Sequence, residues 1–223
     1  MGSATGTPQP RHPDSTSLPA TGFGTGTGRR VARIAGVLAW YLACYWTVTR
    51  VTAARGPGVL VQTEIALDRL VPHLPGTWPL YWIAYPFVIL GGGAALLRMP
   101  DPAFRRALVA LLAMTSVGAL VQLLFPARAP WPAFPAPMQV RFHQSGLILP
   151  YATLPSMHVA YCLFAAALVS AVRPGSVARL VTLLLVPLVA LATLTLKEHV
   201  VLDAITGLAL GAVSAWWWRR GPA

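Results

Sequence analysis

From Leu180 to Leu196 the chain reads LVTLLLVPLVALATLTL, and the next seven residues are Lys197-Glu198-His199-Val200-Val201-Leu202-Asp203. Seventeen residues pass without a charge, and then a cation, two carboxylates and an imidazole follow almost at once. An uncharged run of that length suits a helix inside a bilayer. Charged and imidazole groups at its edge are expensive there and are commonly functional. The rest of the sequence repeats the first half of this pattern.

Five other uncharged stretches are present. They lie between Arg33 and Arg50, from Thr77 to Leu97, from Ala107 to Phe125, from Ser156 to just before Arg173, and from Ala204 to Trp218. The second opens on Trp78, Tyr81, Trp82 and Tyr85, as an interfacial aromatic belt would. The last ends in Trp216-Trp217-Trp218-Arg219-Arg220. Of 223 residues, 56% are hydrophobic and 10% charged, where a soluble domain carries about 25% charged. The expected fold is all-α: a polytopic membrane protein built as a six-transmembrane-helix bundle.

The formal net charge is +11. The arginines are spread between apolar runs rather than gathered on a soluble module, which points to anionic lipid headgroups and argues against nucleic acid. With the amino terminus cytoplasmic, the inner connections hold ten Lys and Arg residues, from Arg29 to Arg220, and the outer connections six: Arg50, Arg55, Arg69, Arg128, Arg141 and Lys197. That bias places both termini in the cytoplasm. Cys44 and Cys162 lie within apolar runs and read as small buried hydrophobes.

Residues 1–28 are rich in Gly, Thr, Ser and Pro and read as a disordered cytoplasmic tail, with no cleaved signal. Residues 29–223 form the membrane domain. Its third connection, 126–155, holds seven prolines and reads as an irregular loop: a lid, a binding loop or a disordered segment.

Two segments carry chemistry. Pro155-Ser156-Met157-His158 opens the fourth span: Ser156 is a natural N-cap, and a helix start with its outward N–H groups attracts anions. In Lys197–Asp203, His199 and Asp203 are four apart and share a helix face. A carboxylate at that position can orient the imidazole and leave its other nitrogen as nucleophile or base. Taken singly, His158 is a helix-end histidine, His199–Asp203 a structural pair, Arg128 an interfacial anchor and Lys197 a snorkelling cation. Six crossings, however, put the third and fifth connections on one side, so these groups meet at one face. His73 and His143 read as ordinary loop histidines, and His12 belongs to the tail.

These residues resemble the type 2 phosphatidic acid phosphatase superfamily. Its second motif, Pro-Ser-Gly-His, appears as Pro155-Ser156-Met157-His158. Its third, ending His-x-x-x-Asp, appears as His199 to Asp203 with Gly207 following, and the first is represented by Pro126-Ala127-Arg128-Ala129-Pro130. Thr193 stands where the third motif commonly has arginine, and no lysine precedes Arg128 at the usual distance. Lys197, the larger residue Met157, and the stretch from Asp68-Arg69 to Pro75 are similar to the inositolphosphotransferase branch, which includes inositol phosphorylceramide synthases.

The resemblance implies a lipid phosphate or diphosphate substrate and no metal. It implies His199 as the nucleophile forming a phosphohistidine, Asp203 orienting it, and His158 as the acid. Arg128, Lys197 and the amides near Ser156 would hold the phosphate at the extracytoplasmic face. Water as acceptor makes a phosphatase, and an alcohol such as inositol a transferase. Two other readings stay open: a metal-dependent enzyme using the same histidines and Asp203, and a transporter or scaffold without catalysis.

Overall fold

The computed structural model describes residues 23–130, 140–141, 152–173 and 175–221. Most of the amino-terminal tail and most of the proline-rich connection, His143 included, lie outside the described residues.

Six helical stretches carry the described fold: α1 Phe23–Arg55, α2 Pro75–Arg98, α3 Asp101–Leu124, α4 Met157–Val172, α5 Ser176–Thr195 and α6 Val201–Arg219. Helix α1 starts at Phe23, ahead of the arginines that mark the tail boundary in the sequence. Strand is confined, among the described residues, to a two-residue parallel pair, β1 Val61–Gln62 against β2 Ala127–Arg128, with Gln62 opposite Arg128.

Four of the helices, α1, α2, α3 and α6, are long and apolar enough to cross a membrane. The six crossings expected from sequence are thus matched by length and composition at four positions. Helix α4 has 16 residues, a rise of about 24 Å at 1.5 Å each, against a hydrocarbon thickness of about 30 Å. In α5 the apolar stretch that qualifies runs only from Leu183 to Thr195.

Side chains at the helix ends fix the directions. Arg30 on α1 pairs with Asp101 and donates to the carbonyls of Leu97 and Met99, at the turn between α2 and α3. At the other end Arg55 donates to the Leu123 carbonyl. Helices α1 and α3 therefore run side by side in one direction, with α2 returning between them in sequence. The Trp218 indole N–H reaches the Ala103 carbonyl, which brings the end of α6 to the start of α3. The start of α2 is joined to the end of α5 through Leu74 N–H on the Thr195 carbonyl and a 2.9 Å contact between the Thr77 and Thr195 hydroxyls.

Helix α4 is the centre. Val159, Ala160, Cys162, Phe164 and Leu168 are all buried, and an apolar helix covered on every side belongs in the middle of a bundle. Phe164 meets Trp218 edge to face with centroids 6.1 Å apart. The outer surface is as apolar as the core: Leu183 is 72% exposed and Leu90 68%. Apolar surface on that scale is a liability in water and an ordinary lipid-facing surface in a bilayer.

Helix α4 packs closely against α6. A Cβ added at Gly207 would lie 2.4 Å from the Ser156 carbonyl oxygen, and one at Gly211 would lie 2.7 Å from that of Ala160. Two glycines four apart let backbones approach where the bilayer gives no hydrophobic drive for helix pairing. This seam brings the two histidine-bearing segments to one end of the bundle.

Candidate active site

His158 sits in the first turn of α4, and His199 in the turn between α5 and α6. That turn closes on Thr193, whose carbonyl accepts the N–H groups of Glu198 and His199. Lys197 takes a left-handed backbone, φ 60°, to make the reversal. The Ser156 N–H donates to the Asp203 carbonyl at 2.9 Å, tying the two helix starts together.

The result is that His158 Nδ1 lies 3.4 Å from His199 Nε2, with ring centroids 5.6 Å apart. Both rings line one cavity of about 440 Å³, together with Glu198, Tyr81, Tyr85 and Tyr161. That volume is in the range of small-molecule sites.

Asp203 is fully buried, and His199 is 7% exposed. Asp203 Oδ2 accepts the Val200 N–H at 3.1 Å, capping α6, and lies 3.4 Å from His199 Nδ1. The latter contact is within ion-pair reach but lacks hydrogen-bond alignment, so Nδ1 is left without an aligned partner. Asp203 Oδ1 accepts from the Thr63 hydroxyl at 3.4 Å.

The three residues expected to bind phosphate are placed differently. The Lys197 ammonium donates to the carbonyls of Val71, at 2.7 Å, and Asp68, at 3.0 Å. An ammonium has three N–H donors, so two are committed to the connection between α1 and α2. Ser156 is fully buried against Gly207, its hydroxyl lacking a hydrogen-bond partner among the described residues. It lies behind the cavity rather than on its lining. Arg128 is exposed on β2 and is not among the described lining residues. Thr193, at the motif position where arginine is common, is buried, and its hydroxyl donates to the Ala190 carbonyl.

Two further groups were noted in the sequence, as an aromatic belt and as part of the resemblance, but were not placed at the site. The hydroxyls of Tyr81 and Tyr85 both reach His158 Nε2, at 2.9 and 2.7 Å. They are four apart on α2 and share a face, the signal that could have found them. The second group is the connection between α1 and α2. Asp68 is buried, its Oδ1 accepting the Val201 N–H at 2.7 Å and its Oδ2 the Ile65 N–H at 2.8 Å. With Lys197, Thr63 and the β1–β2 pair, this connection is stitched onto the start of α6 and onto the Pro126–Pro130 segment. Among the described residues, no group of three or more His, Cys, Asp or Glu side chains is arranged to hold a metal ion.

Neither a curated protein nor a solved structure matches the chain. A family model described as the PAP2 superfamily matches residues 77–217, from the start of α2 almost to the end of α6, and includes both histidines and Asp203. Over that extent, well above half of its length, the chain belongs to the PAP2 superfamily.

Proposed function

We propose that the protein is a membrane-embedded lipid phosphatase or phosphotransferase that works through a phosphohistidine on His199. The observation that carries this reading is the 3.4 Å approach of His158 Nδ1 and His199 Nε2 in one cavity, from segments some forty residues apart. Family membership supports a membrane phosphatase, and the apolar helices support a bilayer setting.

In the first step the lone pair on His199 Nε2 attacks phosphorus. The bond from phosphorus to the lipid oxygen breaks, and that oxygen takes a proton from His158. In the second step water or an alcohol gives a proton back to His158 and attacks the phosphorus, and the P–N bond breaks. Asp203 stabilises the positive charge that builds on the His199 ring, as the aspartate does in a triad. In the imidazolium form that the acid step requires, both ring nitrogens carry protons: His158 Nε2–H donates to a tyrosine oxygen, and Nδ1–H is left facing His199. Tyr81 and Tyr85 thereby aim the acid.

The Lys197 ammonium, with its remaining N–H, supplies positive potential beside His199. Arg128 and the first-turn amides after Ser156 are the further candidates for the phosphate oxygens. A phosphate between the rings must displace their direct contact, so the two histidines separate on binding. The chain crosses the bilayer six times, with both termini cytoplasmic and the cavity at the extracytoplasmic face. Whether the acceptor is water or an alcohol such as inositol is decided by the connections around the mouth.

The test is product analysis by mass. Purified protein is incubated with a panel of lipid phosphates and diphosphates, with and without inositol. Expected is phosphate release or transfer from at least one lipid, lost in His158→Ala and His199→Ala. Turnover that survives in well-folded His199→Ala would remove this mechanism.

A further inference from the structure

The cavity that holds the two histidines adjoins a second space of about 210 Å³. Tyr41, Tyr85, Met157, His158 and Tyr161 border both. Beyond them the second space runs as a slot between α1, α2, α3 and α4, as far as Ile34, Leu108 and Leu168. His158 and Leu168 are ten residues apart on α4, a rise of about 15 Å. That is half the hydrocarbon thickness of a typical bilayer. The slot therefore extends from the imidazole over about the depth of one leaflet.

Its lining is hydrocarbon and sulfur apart from four hydroxyls and the His158 ring. The Thr115 and Tyr161 hydroxyls are bonded to each other at 2.6 Å, and that of Tyr85 is on His158. Water needs two or more polar partners to stay in such a place. Small residues make the room: Ala84, Gly92 and Gly93 on α2, and Ala165 on α4. Helix α2 also carries a π-turn, Phe87–Gly92, along this wall, a widening frequent at functional sites.

We propose that this slot receives one hydrocarbon tail of the lipid phosphate while the phosphate lies between His158 and His199. The proposal rests on the phosphoryl-transfer reading and adds where the tail goes and what it must be: a linear, apolar chain, one per site. A tail entering from a bilayer leaves one apolar medium for another and gains little. Selectivity in the membrane is then steric. For a monodisperse alkyl phosphate in water, each methylene buried gives up to about fourfold in affinity, from about 0.8 kcal/mol, until the slot is full.

Two substitutions change the slot. A Cβ at Gly93 meets no atom within 4 Å, so Gly93→Leu projects into the space. Leu168→Ala opens its far end. The protein is reconstituted in nanodiscs and given soluble alkyl phosphates of increasing length. Alkyl phosphonates with a terminal photoreactive group are used in parallel, and the cross-links are mapped by mass.

Wild-type kcat/KM should rise with chain length and then level off. Gly93→Leu should lower the long-to-short ratio by about tenfold or more, the effect of excluding two or three methylenes, and Leu168→Ala should move the plateau to longer chains. The phosphonate should label α4 near Leu168. Cross-links confined to lipid-facing positions such as Leu183 or Leu124, or a length profile identical in wild type and Gly93→Leu, would overturn the tail assignment. Labelling near Leu168 without phosphate release from any chain would uphold the slot and sink the phosphoryl-transfer reading instead.

Discussion

Helix α4 is flanked by two walls of opposite construction. Against α6 the backbones touch: Gly207 and Gly211 admit the carbonyls of Ser156 and Ala160 where no side chain would fit. Toward α2 the contact is looser, since a Cβ at Gly92 would meet Ala165 at an ordinary 3.4 Å and one at Gly93 would meet nothing. Helix α1, beyond it, has only 6% of its apolar window buried. The close wall fixes the separation of the two helix starts that carry the histidine motifs. The loose wall leaves the volume that a long substrate requires. Glycine serves both, by close approach in one and by vacancy in the other.

If the close wall carries the chemistry, its residues should dominate every assay. His199→Ala should reduce turnover by at least about a thousandfold, as loss of a nucleophile does, with expression and melting little changed. Gly207→Ala should act through the fold. Its new methyl meets backbone rather than a flexible side chain, so α4 and α6 must part, a destabilisation of about 1–3 kcal/mol for overpacking. A lowered melting temperature and reduced activity on all substrates alike are expected, whereas Gly93→Ala should leave the melting temperature within error.

The pH profile follows from the opposite protonation states that the two histidines need. A bell is expected in kcat/KM, and a monotonic profile with chemistry rate-limiting would count against the pair. Next in size is Asp68→Ala. It removes acceptors from the Val201 and Ile65 N–H groups, each bond to a charged acceptor being worth about 1.5–3 kcal/mol. Faster amide exchange across 61–74 and roughly tenfold lower turnover are expected, with Asp68→Asn retaining part of both. Smallest are Tyr81→Phe and Tyr85→Phe. Each removes one bond of about 1 kcal/mol, so about fivefold in kcat, and the double variant should lose more than either. Insensitivity to EDTA is expected throughout, and a chelator-sensitive rate restored by one metal would favour the metal-dependent reading.

What the sequence made legible follows from locality. The two histidine motifs are each contiguous, and His199–Asp203 and Ser156–His158 need only helical spacing to be read. The apolar runs are local as well, and each coincides with a helical stretch among the described residues, four of them long and apolar enough to cross a membrane. The seam between α4 and α6 was visible only as a glycine after the third motif, because its meaning depends on which backbone approaches. Tyr81 and Tyr85 satisfied an interfacial belt, a pattern indifferent to where a hydroxyl points. Asp68 and Thr63 belong to a connection without period, and their value comes from residues more than 130 positions away. Lys197 was read from its charge and its place in the motif, whereas its ammonium direction is set by a left-handed turn and by carbonyls of that same distant connection. The shortness of α4 was readable, but its central position was not.

The mechanism stands on a covalent bond between phosphorus and one ring nitrogen. The purified chain should be mixed with a lipid phosphate labelled at phosphorus, quenched in alkali within a turnover, and digested for mapping. The account predicts a single acid-labile, alkali-stable phosphoramidate on His199, accumulating further in His158→Ala if that variant slows the second step more than the first. Steady turnover with no labelled protein at any quench time, or label on a residue other than His199, would contradict it.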